Sequence, residues 1–283
     1  MRGVSRYLKV APYKKRKLRS GEWIIISSSG DPLIIDDYAL HILCKKEVNP
    51  DLFDLPFINV LKESGFLVEN CNRHSIPEEP TSFKFKLFSL FTLVIGITSF
   101  LGAIYCLFNE GLPFSTSIDL LITEPFIGIL SLVMFSTLTT FLHEGMHLIY
   151  SNSLIQDNKF KINMTKAIAT VSMTHVWTWS ILGRIVAILS GICLDLFFLF
   201  SLLVFSQRMY FEYTSLFESV LITRITWQFR VQNKTDIRLF LELISDDPFL
   251  FEQNTVPIKI MTLLGFLVNI FIILIWLVPL VNY

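Results

Sequence analysis

The chain has 283 residues, of which 52% are hydrophobic and only 17% charged, with 26 Phe and a mean hydropathy of +0.56. That composition excludes a disordered chain and a nucleic-acid-coating protein. The 24 Lys and Arg balance 24 Asp and Glu, so no net field attracts polyanions, and nucleic acid is not expected as a partner.

The charge is unevenly spread. Residues 1–86 hold most of the Lys and Arg, including the basic arm Lys14, Lys15, Arg16, Lys17 and Arg19, and the remainder is mostly apolar. Cys44, Cys71, Cys106 and Cys193 are scattered without a CxxC pair, which suits a reducing or membrane-buried setting. The first 20 residues lack the apolar stretch of a secretory signal, so the N-terminus is expected in the cytoplasm.

Along residues 1–80, the stretch 23–26 is strand-like, 28–31 reads as a turn and 33–35 as a return strand. Asp36 or Asp37 can cap a helix running through Cys44. Residues 54–64 form a second helix, closed by Gly65 before Phe66, Leu67 and Val68. This order predicts a small α+β, winged-helix-like domain over residues 1–80. By pattern it resembles the small peptide-binding domains of systems that modify ribosomally made peptides, and a generic cytoplasmic cap fits the same pattern.

Residues 87–108 carry no charge over 22 positions. As a helix they would span about 33 Å, enough for a hydrocarbon core of about 30 Å. The connection 109–118 contains Glu110 and no Lys or Arg, which places it outside and the basic N-terminal side inside. The second span begins at Pro125, a favoured first-turn residue, and runs inward to Tyr150. Residues 159–173 alternate Phe160, Ile162 and Met164 with polar partners and continue through Ala167, Ala169, Val171 and Met173. This reads as a two-stranded hairpin or an amphipathic connector. The third span, 182–205, returns outward. Residues 213–229 carry Glu218 and Arg224 and could cross only if those charges face protein or water. Residues 260–280 form a clear last span. The fold class expected is therefore a mainly α, multi-pass helical bundle over residues 81–283, in the cell membrane with the bilayer as partner and the N-terminal domain cytoplasmic.

The cytoplasmic end of the second span reads His143, Glu144, Gly145, Met146, His147, an HExxH sequence. Histidines at i and i+4 share one helical face and can offer two imidazole nitrogens to one metal. Glu144 lies about 100° around the helix, where its carboxylate can reach an attacking water rather than the metal. A shuffled chain of this composition would contain the motif in about three cases per thousand. Ionisable groups inside a span are costly, and here three fall within five residues. Measured from Ser151, His147 lies roughly 6 Å and His143 roughly 12 Å into the membrane.

The third ligand is open on the residues alone. Asp236 follows the polar stretch 230–235, and Thr235 or Asn233 could cap a helix carrying it in the first turn. Asp195, roughly 16 Å inward from Arg184, is the rival, with Gly191 one turn earlier allowing a close helix approach. His175, beside Trp177, reads as an interfacial histidine or a further ligand.

On these residues the chain resembles the site-2 protease family of intramembrane zinc metalloproteases, in particular its bacterial peptide-processing branch. The resemblance covers about residues 87–245. It rests on HEGMH in a membrane helix, on Ser190, Gly191 and Asp195 in the next span, and on Lys234, Thr235 and Asp236. It implies Zn²⁺ held by His143, His147 and Asp236, with Glu144 as general base and Asp195 supporting the site. The implied activity is hydrolysis of a peptide bond near the cytoplasmic face, with the hairpin at 159–173 holding the substrate extended. The implied substrate is a small ribosomally made or membrane-associated peptide, with peptide-modifying enzymes or an exporter as further partners. The alternative is a non-catalytic membrane partner, an immunity or peptide-export component retaining the scaffold, and an intact third ligand discriminates the two.

Overall fold

A computed structural model describes residues 8–28, 32–45, 47–48, 54–68, 76–153, 160–163, 168–171, 173–206 and 212–282. Contacts divide the chain into two units. The first comprises Met1–Glu79, Ser151–Gln156 and Ser172–Arg184; the second comprises Pro80–Tyr150, Asp157–Val171 and Ile185–Tyr283. The smaller unit is thus not one continuous stretch, since it takes in two pieces of the connection between the second and third long helices.

The first unit runs β1 (Leu8–Val10), β2 (Tyr13–Lys17), β3 (Trp23–Ser27), β4 (Leu33–Ile35), α1 (Asp37–Leu43), β5 (Glu47–Val48), α2 (Leu55–Glu63) and β6 (Leu67–Val68). Strands β2, β3 and β4 form one antiparallel sheet, and β5, β1 and β6 a second. Asp36 starts α1 by accepting from the Ala39 amide at 2.7 Å, and Asp54 starts α2 by accepting from Phe57 at 3.4 Å; each satisfies an amide the helix itself cannot. Gly65, at φ 72°, turns the chain out of α2 so that Phe66 enters the core. That core joins Ile25, Ile35, Leu40, Leu43, Leu61 and Phe66. The turn expected at 28–31 lies outside the described residues beyond Ser28.

The basic run is not a free arm but strand β2, with Arg16 opposite Ile24. Lys15 and Lys17 lay their ammonium groups over the Trp23 ring at 5.4 and 5.5 Å, and Arg16 Nε donates to the Trp177 carbonyl at 2.6 Å. Ile24, Ile25 and Ile26 are all buried, so β3 is covered on both faces. β2 and β3 also pack against the 3-10 turn Thr174–Thr178, which brings the distant connection into this unit.

The second unit contains α3 (Phe83–Glu110), α4 (Phe114–Thr123), α5 (Pro125–Tyr150), the antiparallel pair β7 (Phe160–Asn163) and β8 (Ile168–Val171), α6 (Ile181–Ser206, its first turn in the first unit), α7 (Thr214–Trp227), α8 (Asp236–Ser245) and α9 (Val256–Leu277). Residues 164–167, which join the two strands, lie outside the described residues. Among the described residues four helices are long and apolar enough to cross a membrane: Phe83–Glu110, Pro125–Tyr150, Ile181–Ser206 and Val256–Val281.

The surfaces of α3, α5 and α9 are inside out by the standard of a water-soluble protein. In α3 the buried positions are Ser89, Thr92, Gly96, Ser99, Ala103 and Cys106, while Phe91, Ile97 and Leu101 are exposed. Small residues at the helix contacts and large apolar residues outward suit lipid as the solvent. At Gly96, a Cβ would lie 2.8 Å from that of Cys193, so α3 and α6 touch there.

The 109–118 connection is not all linker, because α4 forms from Phe114 and is held by a 2.7 Å bond between Ser117 Oγ and Ser219 Oγ of α7. α7 has 14 residues, about 21 Å, short of a hydrocarbon core of about 30 Å. It runs alongside α5 in the same direction. Tyr213 donates to Glu124 at 2.6 Å, Phe217 stacks on Phe135 at 4.2 Å, and Arg224 reaches Thr139. The chain then turns through residues 228–235 beside α9, where a Cβ on Gly265 would lie 3.0 Å from the Val231 nitrogen.

Candidate metal centre

α5 carries His143 and His147 on one face, both buried. α8 supplies Asp236 from its first turn, where Thr235 caps the helix by accepting from the Arg238 amide at 3.4 Å and Gln228 Oε1 accepts from the Asp236 amide at 3.1 Å. α7 ends part-way along α5, and this brings the start of α8 to the histidines.

The three side chains converge. His143 Nε2 and His147 Nε2 are 3.2 Å apart, and Asp236 Oδ2 lies 3.0 Å from the first and 3.3 Å from the second. These three residues form a group able to hold a metal ion. A four-coordinate zinc with bonds of about 2.0 to 2.1 Å sets neighbouring ligand atoms about 3.3 Å apart, close to this triangle.

The far nitrogens of both rings are committed. His143 Nδ1 donates to Asp195 Oδ2 at 2.7 Å, and His147 Nδ1 donates to the Ala187 carbonyl at 2.8 Å. With each ring proton on Nδ1, both neutral imidazoles direct the Nε2 lone pair toward the same point as a carboxylate oxygen. Three acceptors so placed repel one another unless a cation lies between them. Arg224 Nε sits 3.1 Å from Asp195 Oδ2 and offsets its charge, which leaves the Asp236 carboxylate for a cation at the triangle.

Gly191 of α6 lies against His143, and a Cβ there would fall 2.5 Å from Nε2. Glu144 is not part of the triangle and lines a cavity of about 480 Å³ with His143, Thr140, Arg224, Trp227 and Trp276. Ser136, Thr140 and Glu144 make a polar stripe at i, i+4 and i+8 along α5, which gives water a path to Glu144.

Of the residues singled out from sequence, His143, His147 and Asp236 come together, and Asp195 meets the outer nitrogen of His143 rather than Nε2. His175 is elsewhere, in the first unit, with Nε2 donating to the Ser151 carbonyl at 2.7 Å and its ring edge-on to Trp179. Sequence reasoning missed the Ala187 carbonyl and Gln228, which carry no signal of their own. It noticed Arg224 only as an awkward charge.

No protein-family model, curated protein or solved structure matches this chain. What the centre does must therefore be argued from its own residues.

Proposed function

We propose that this chain is a zinc-dependent intramembrane endopeptidase of the site-2 protease type, hydrolysing a peptide bond of a small ribosomally made or membrane-associated peptide. The observation that carries the reading is the convergence of His143 Nε2, His147 Nε2 and Asp236 Oδ2, with both remaining ring nitrogens already used as donors. Two imidazoles and a carboxylate are the donor set of catalytic rather than structural zinc. When bound, the ion supplies Lewis acidity.

The chain's own residues supply the remainder. Glu144 is placed beside His143 at the cavity wall, where it takes a proton from the attacking water and passes it to the departing amine. An extended peptide suits the site, because a helix keeps its amides in its own hydrogen bonds.

In this reading the first unit is a winged-helix-like recruiting module on the cytoplasmic side of the cell membrane, and α3 and α6 run outward while α5 runs inward. An intact third ligand weighs against a non-catalytic immunity or export partner. The test is zinc content and peptide cleavage by the purified chain in detergent, beside Glu144→Gln. One zinc per chain in both proteins, with cleavage only by the wild type, is expected. Equal cleavage by both would remove the protease assignment.

A further inference from the structure

Arg224 is a largely buried arginine on α7, and the peptidase reaction gives it no direct task. Its side chain is only 15% exposed. Nε forms an ion pair with Asp195 Oδ2 at 3.1 Å, while Nη1 donates to Thr139 Oγ1 at 3.0 Å and Thr140 Oγ1 at 3.2 Å, and Nη2 to the Thr139 carbonyl at 3.0 Å. These four contacts join α7, which carries Arg224, to α5 one turn before His143 and to α6 at Asp195.

The oxygen that receives Arg224 is the one that receives His143 Nδ1, and Asp195 Oδ1 has no hydrogen-bond partner among the described residues. Arg224 is therefore the second partner of Asp195 Oδ2, a charge that draws that oxygen and so fixes which way the carboxylate faces. It also sits twelve residues before Asp236, on the helix whose end point delivers α8 to the histidines. We propose that Arg224 is the positioning residue of the metal centre, acting through Asp195 to aim His143 and tying α7, which leads into α8, to α5 and α6. This rests on the metal-centre reading above.

As a mere charge, Arg224 would oppose a nearby dication, so its removal would tighten metal binding. As a positioning residue, its removal loosens binding, and lysine cannot replace it because an ammonium lacks the planar fork that reaches acceptors on two helices at once. The sign of the effect separates the two roles.

The experiment titrates the full chain in detergent with Zn²⁺ and Co²⁺ against a competing chelator, and records the Co²⁺ absorption spectrum and thermal unfolding. Arg224→Gln and Arg224→Lys should each weaken zinc binding by about 10 to 100-fold and alter the Co²⁺ bands, the range seen when outer-shell partners of ligating histidines are lost. Asp195→Asn combined with Arg224→Gln should bind no more weakly than the weaker single variant, since both act along one path. Should Arg224→Gln not fold, Arg224→Lys alone and with Asp195→Asn carries the same comparison. Unchanged or tighter binding with an unchanged Co²⁺ spectrum would overturn the proposal, as would additive losses in the double variant. A wild type that binds neither ion would overturn the metal-centre reading and this inference with it, whereas a metal-binding wild type with indifferent Arg224 variants overturns the inference alone.

Discussion

At the metal triangle, ligand and support are told apart by which nitrogen of His143 each carboxylate faces. Asp236 Oδ2 approaches Nε2, the side shared with His147, while Asp195 Oδ2 approaches Nδ1. Asp236→Ala should therefore abolish stoichiometric zinc, whereas Asp195→Asn, which keeps shape and hydrogen-bonding reach, should cost about 10 to 100-fold in affinity. Equilibrium dialysis with ⁶⁵Zn checks the ranking, and the reverse order would make Asp195 the ligand. Glu144→Gln should retain zinc and lose turnover by several orders of magnitude, because the proton acceptor is removed while the ligands are untouched. The two histidines and Glu144 are legible in the sequence because helical spacing alone brings i and i+4 to one face. Asp236 is not settled that way. Its approach depends on where α7 stops, and no local pattern states that.

At the level of elements, α5 and α6 must come close enough for an imidazole to rest on a backbone. Gly191 permits this, since a Cβ would lie 2.5 Å from His143 Nε2. Gly145, inside the HEGMH sequence, has no atom within 4 Å of where its Cβ would be. Gly191→Ala should abolish metal binding, while Gly145→Ala should keep it and raise thermal stability, as helical alanine is favoured over glycine by about 1 kcal/mol. Similar zinc content in both variants would mean that α6 does not press on the site. The long helices are readable from hydropathy, whereas β2 is hidden because a Lys and Arg run masks strand alternation until β3 pairs with it. α4 is hidden for a related reason: its hydroxyl contact with Ser219 of α7 is tertiary.

Over the whole molecule, the smaller unit collects pieces far apart in the chain because β2 and β3 pack on the turn Thr174–Thr178, a relation no reading of continuous segments can supply. The lipid-suited surfaces of α3, α5 and α9 were by contrast evident from composition. The proposed orientation predicts that reporters fused after residue 80 or at Thr165 lie on the cytoplasmic side and one at Ser115 on the other. An external Thr165 would put the HEGMH end of α5 at the wrong face. Everything proposed for this chain depends on a metal at His143, His147 and Asp236, and X-ray absorption at the zinc edge on the purified full chain tests that most directly. One zinc per chain is expected, with a first shell of nitrogen and oxygen at about 2.0 to 2.1 Å and imidazole scattering beyond it, lost in His147→Ala. A sulfur shell at about 2.3 Å, or zinc unaffected by His147→Ala, would contradict it.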